Sequence, residues 1–169
     1  HWERIQLLFK EYPELDLFDD EKNQEIEQKC VVQIEEACRE KELILLRQSD
    51  LPEFDFSEND FDMVLTFWNL HNPSAEGRAN LNKAVFDSLK SGGIYGVVDH
   101  TRRHMQPTSR PVGRRLDPVL VIKELLDTGF EFVDYSDMHF HPEEDLSQEV
   151  GTPGVRGATD RFTLKFRKP

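Results

Sequence analysis

The chain has 169 residues, a formal net charge of −12, 37% hydrophobic and 32% charged residues. That length fits one domain with a core large enough to need no disulfide or metal. The acidic balance argues against a phosphate-backbone partner or an anionic membrane surface, because both bind through basic residues.

Residues 1–12 place Trp2, Ile5, Leu8 and Tyr12 at helical spacing, and Pro13 ends the run. A second helix follows Asp19 and Asp20, with Ile26, Cys30, Ile34 and Cys38 on one stripe. The two cysteines are eight residues apart, roughly 12 Å along that helix. A disulfide needs Cα atoms within about 7 Å, so they do not bridge there. This favours a reducing, cytoplasmic setting; removal of an upstream signal would leave periplasm or secretion open. No apolar run approaches the ~20 residues of a membrane span, and no signal-peptide pattern opens the chain.

Leu43 to Leu46 is a short apolar run that suits a strand buried on both faces, ending at Ser49, Asp50, Leu51 and Pro52. Phe61 to Phe67 is the next buried strand and ends in Trp68, Asn69, Leu70 and His71. Asn72-Pro73-Ser74 starts a helix whose buried side is Leu81, Ala84, Val85, Phe86 and Leu89. Gly92-Gly93 reads as its stop, since glycine tolerates the left-handed terminal conformation. Ile94 to Val98 is a third strand, ending in Asp99 and His100.

Residues 101–116 form a long loop with five arginines, Arg102, Arg103, Arg110, Arg114 and Arg115, either a solvated loop or a local anion site. Asp117-Pro118 starts a helix that faces the core with Val119, Ile122, Leu125 and Leu126 and closes at Gly129. Phe130 to Tyr135 is a strand. A polar loop carries His139 and His141, whose spacing offers no metal set with a second partner. Phe162 to Phe166 alternates with period two, as a half-polar strand in a terminal hairpin.

Alternating β and α elements predict a parallel sheet with helices on both faces. In such sheets ligands bind beyond the carboxyl ends of the strands. Asn69, His71, Asp99 and His100 therefore share one rim. His71 or His100 can act as a base there, because histidine titrates near neutral pH, and Asp99 can orient it.

The order of elements, Asp50, the Phe61-Asp62 strand and the Leu89-Lys90-Ser91-Gly92-Gly93 turn resemble the class I S-adenosylmethionine-dependent methyltransferases from their third strand onward. The Asn69-Leu70-His71 strand end and the Gly96-Val97-Val98-Asp99-His100 strand resemble a group of predicted methyltransferases of unknown substrate. So do the Arg114-Arg115-Leu116-Asp117-Pro118 helix entry and the closing Arg156-Gly157 and Asp160-Arg161-Phe162 segments.

The resemblance covers residues 42–169 and leaves 1–41 as a helical N-terminal segment of a single 1–169 domain. It implies an α/β, Rossmann-like methyltransferase sheet, mostly parallel, with a C-terminal antiparallel hairpin. It implies S-adenosylmethionine as cofactor, held at Asp50, Leu51, Asn69 and Leu70, and a small acceptor near His71, Asp99 and His100.

The family's glycine-rich cofactor turn has no match, because the first glycine of the chain is Gly77. The expectation is a chain entered mid-fold, its first strands missing. The alternative is a degenerate methyltransferase fold kept as a binding or partner protein. A weaker third reading is a nucleotide-linked α/β enzyme of another class.

Overall fold

A computed structural model describes Phe56 and residues 59–169. The helices read over 1–41, the Leu43–Leu46 strand, Asp50 and Leu51 lie outside the described residues. The described elements are strand β1 (Phe61–Phe67), helix α1 (Ala75–Ser88), strand β2 (Leu89–His100), a short 3-10 turn (Arg110–Val112), helix α2 (Pro118–Thr128), strand β3 (Glu131–Ser136) and strand β4 (Arg161–Arg167).

The strands form one sheet in the order β1-β2-β4-β3. β1 and β2 are parallel, Phe67 opposite Val98. β4 runs antiparallel to both β2 and β3. Two of the three pairings are thus antiparallel, which corrects the mostly parallel expectation for the described part. The two closing strands do pair, but β4 lies inside the sheet rather than at its margin. Its alternation holds in the structure: Phe162, Leu164 and Phe166 join the core, while Thr163 and the half-buried Lys165 lie on the other face.

α1 opens where Ser74 Oγ accepts the Gly77 N–H at 3.1 Å, an N-cap as the sequence predicts. It ends earlier than the glycine pair suggests. Leu89 is already extended at φ −79°, ψ 144°, and begins β2. Gly92 sits within that strand at φ +79° and donates its N–H to the Lys168 carbonyl. The glycines therefore shape the start of β2, not the end of α1.

α2 matches its sequence signals. Asp117 caps it by accepting from Val119 N–H at 3.0 Å, and Gly129 takes φ +113° at its end. Its buried residues are Val121 and Leu125, while Val119 and Leu126 are exposed, so the apolar stripe is rotated from the predicted one.

The core joins Leu81 and Val85 of α1, Val121 and Leu125 of α2, Tyr95 and Val97 of β2, and Leu164 and Phe166 of β4. Phe130 stands edge-on to both Phe86 and Phe166 in its middle. The two helices are tied by the bidentate Arg78–Glu124 pair at 3.0 and 2.7 Å. Both lie against this one face of the sheet; of helices on both faces, only this half falls within the described residues. Asn82 is also fully buried, and neither of its amide atoms has a hydrogen-bond partner among the described residues.

Sheet direction brings four segments to one rim: the ends of β1, β2 and β3 and the start of β4. His100 pairs with Arg161, and Ser136 with Thr163. The loops 101–117 and 137–160 both leave from that rim and are pinned together there. Arg115, with no exposed surface, donates to both Glu144 oxygens at 2.7 and 2.9 Å, to the Thr101 carbonyl and to the Gln148 carbonyl. Arg114 pairs with Glu149, Arg103 donates to the Asp145 carbonyl, and Arg102 to Thr108. Four of the five loop arginines are thus used in holding the loops.

Candidate active site at the carboxyl rim of the sheet

At the end of β1 the chain turns sharply. Trp68 has φ +49°, a conformation that bulky residues seldom adopt, and its N–H still bonds the Val98 carbonyl at 2.9 Å. The Asn69 carbonyl and side-chain oxygen both accept from Asn72, at 3.1 and 3.0 Å, closing the turn. Leu70 points into the core with no exposure, and His71 falls on the opposite side, against Asp99.

Asp99 is fully buried, and its oxygens serve three N–H groups. Oδ2 accepts the His71 backbone N–H at 3.1 Å. Oδ1 accepts the His100 backbone N–H at 2.7 Å and meets His71 Nδ1 at 2.6 Å. An ionised carboxylate only accepts, so in the neutral His71 ring the proton belongs on Nδ1 and the lone pair on Nε2. Nε2 has no hydrogen-bond partner among the described residues.

His100 has a different role. Its ring centre is 5.7 Å from that of His71 and 6.3 Å from that of Trp68, with which it stacks at 16°. Its Nδ1 lies 2.9 Å from Thr159 Oγ1, which itself receives Arg161 Nε at 3.3 Å. Thr159 has one proton to give and two lone pairs, so it can pair with either tautomer of the His100 ring while it accepts from Arg161. Burial, then the charges of Arg161, His71, Arg115 and Arg114, push the His100 pKa down to about 3. The ring is therefore neutral at ordinary pH and a poor base. The Arg161 guanidinium lies 4.9 Å over Trp68.

His139 is buried beside this group, its Nδ1 2.8 Å from Thr163 Oγ1. Burial, then Arg161 and His141, lower its pKa to about 4. At the far side of the 101–117 loop, Asp117 also accepts from Met105 N–H at 2.7 Å and His104 Nδ1 at 2.9 Å. Burial alone would raise its pKa, but the hydrogen bonds from Met105, His104 and Val119 outweigh that and hold it low.

No family model matches the sequence, and no curated protein matches it. Solved structures do match. The [4+2]-cyclase SpnF is similar with a TM-score of 0.51 and 23% identity, over 79% of this chain and 60% of that one. The Burkholderia thailandensis 1,6-didemethyltoxoflavin-N1-methyltransferase, solved with 1,6-didemethyltoxoflavin and S-adenosylhomocysteine, has a TM-score of 0.52 and 14% identity, over 70% of this chain and 49% of that one. The chain has the class I methyltransferase fold. It spans about half to three fifths of the length of these two structures.

Of the residues singled out in the sequence, His71, Asp99 and His100 come together at the rim of this methyltransferase fold. Asn69 closes the turn beside them, Leu70 packs in the core, and Asp50 and Leu51 lie outside the described residues. Sequence reading gave no role at the rim to Trp68, Thr159 or Arg161. The available signal was the aromatic residue directly after β1 and the Thr-Asp-Arg entry to β4, which topology alone sets opposite His100.

Proposed function

We propose that the protein is an S-adenosylmethionine-dependent methyltransferase acting on a small acceptor. The observation that carries this is the 2.6 Å contact between His71 Nδ1 and Asp99 Oδ1 at the strand-end rim. It leaves His71 Nε2 as a base, backed by a carboxylate that steadies the imidazolium formed when a proton arrives.

The residues present fit the reacting end of the cofactor. The strand end after β1 is polar and half-buried, and it sits beside a base, His71, and a neutral imidazole, His100. Asp50, Leu51, Asn69 and Leu70 are the residues the family resemblance assigns to holding it. Of the described pair, Asn69 offers a side chain and Leu70 only its backbone. S-adenosylmethionine, when bound, supplies an electrophilic methyl group. The chain's own work is to position the acceptor, to take its proton on His71 Nε2 and to keep that imidazole oriented through Asp99.

The absence of any glycine before Gly77 favours a second reading, a fold that binds a partner without methyl transfer. Calorimetric titration of S-adenosylmethionine and S-adenosylhomocysteine into the protein decides between them. Micromolar binding of both supports the methyltransferase. Absence of heat with either ligand sinks it and leaves the binding protein.

A further inference from the structure

The 101–117 loop is held firmly near both ends and lightly between them. Thr101 gives its N–H to the Asp160 carbonyl and takes Arg115 on its own carbonyl, and the Arg102 N–H bonds the Leu116 carbonyl at 2.8 Å. Farther along, the 3-10 turn is seated by Val112, which is buried. Between these anchors no residue from Arg103 to Thr108 is buried. Among the described residues, their backbone makes one hydrogen bond to the rest of the fold, from Met105 N–H to Asp117 Oδ2 at 2.7 Å. The Gln106 N–H bonds the Arg103 carbonyl, within the segment itself.

We propose that residues 103–108 form a flap at the carboxyl rim, latched shut by Asp117 and able to open while the fold around it stays intact.

The latch is one carboxylate with two tasks. Asp117 Oδ1 is committed to the cap of α2 through the Val119 N–H. Oδ2 meets both the Met105 N–H and His104 Nδ1. The Asp117 side chain is wholly enclosed, whereas that of His104 is 56% exposed. The fixed half of the latch therefore belongs to the helix, and the moving half faces solvent. Arg103, on the Asp145 carbonyl, and Thr108, on Arg102, add side-chain ties.

Other features of the closed flap favour opening. Met105 is held at φ +59°, a left-handed conformation that costs a residue with a Cβ. Gln106 Oε1 and Arg102 Nε are buried with no hydrogen-bond partner among the described residues. A polar atom buried in that way keeps its whole desolvation cost. Opening lets Met105 relax and gives both atoms water. Charge-assisted hydrogen bonds close the flap, strain and two unpaired groups oppose them, and opening is cheap beside unfolding.

The flap is rooted beside the candidate base. Thr101 and Arg102 follow Asp99 and His100 directly, and the bonds of Thr101 to Asp160 and Arg115 keep movement of the flap from reaching them. Rigid roots with a lightly held middle are the build of a lid loop. As an entrance for an acceptor, the flap rests on the methyltransferase reading; its opening does not.

Amide hydrogen exchange resolved residue by residue tests the flap. The Met105 N–H is expected to exchange about tenfold or more slower than in an unstructured peptide, and about 100-fold or more faster than Val97 in β2. His104→Leu, at an exposed position, removes one of the two bonds on Oδ2 and is expected to speed Met105 exchange about tenfold. Asp117→Ser keeps an oxygen for the Val119 cap and loses the second one, so Met105 is expected to approach the peptide rate while Val97 and Val121 keep theirs.

Met105 exchanging at the peptide rate in the parent protein, Met105 exchanging as slowly as Val97, or a His104→Leu variant with Met105 unchanged each overturns the proposal. The expected exchange without calorimetric binding of S-adenosylhomocysteine keeps the flap and removes the methyltransferase reading. Binding of S-adenosylhomocysteine with Met105 exchanging as slowly as Val97 does the reverse.

Discussion

Arg115 and Glu144, on two different loops, meet as a bidentate ion pair at 2.7 and 2.9 Å with the guanidinium wholly enclosed. Glu144 also accepts the Asp160 N–H, and the Asp160 carbonyl accepts from Thr101. The pair thereby fixes the neighbouring Thr159 against His100. Removing one partner strands the other charge in a dehydrated place. Arg115→Met is expected to lose about 3–5 kcal/mol in urea unfolding. The double change Arg115→Met, Glu144→Leu is expected to recover part of that loss, because no charge is left unpaired. Equal stability of Arg115→Met and the parent would show that the pair holds nothing.

Acid stability follows from two histidines. His100 and His139 are held neutral in the folded chain with pKa values near 3 and 4, against 6.5 for the free group. Below pH 6.5 the unfolded chain takes protons that the folded one refuses. The stability they contribute is therefore whole above pH 6.5. It is lost as pH falls through the window down to about 4 for His139 and about 3 for His100. Each contributes a slope of about 1.4 kcal/mol per pH unit inside its window. Chemical denaturation at a series of pH values reads this, and His100→Phe should flatten the curve. A curve unchanged by that substitution would contradict the assignment.

His71→Asn removes the base while keeping a polar group near Asp99. On the proposed function, methyl transfer is expected to fall by about 100-fold or more, with the affinity for S-adenosylhomocysteine within a factor of about two of the parent. Steady-state rates and calorimetry on the same preparation test both halves. A variant of undiminished turnover would remove His71 from the chemistry.

Asn82 offers an independent check on the packing. A buried amide without a partner costs about 1–3 kcal/mol, and a leucine of similar volume has no such cost. Asn82→Leu is expected to raise the melting temperature by several degrees, read by calorimetry. A lower melting temperature would mean that the amide has a use.

The sequence made the local devices legible. Ser74, Asp117 and Gly129 each act at a helix terminus as their chemistry predicts, and the four described strands fall close to their expected places. Three kinds of information were hidden. The glycine pair at Gly92-Gly93 was misread because a positive φ serves a strand start as readily as a helix end. The stripe on α2 was misjudged because Val119 and Leu126 share its periodicity, but only packing shows which side is covered. The site was half visible. His71, Asp99 and His100 stand at strand ends where polarity changes abruptly, whereas Thr159 and Arg161 reach them only through the antiparallel placement of β4. No spacing along the chain encodes that placement.

The same placement governs the order in which the sheet can assemble. β3 joins the sheet through β4 alone among the described strands, and β4 is the last of the four to leave the ribosome. Until residues 161–167 emerge, β2 has an open edge on that side and β3 waits unpaired. A nascent chain interrupted before that point holds every candidate base of the rim and none of the strand that brings Arg161 to it. Assembly of the site is thus a report that synthesis has passed β4.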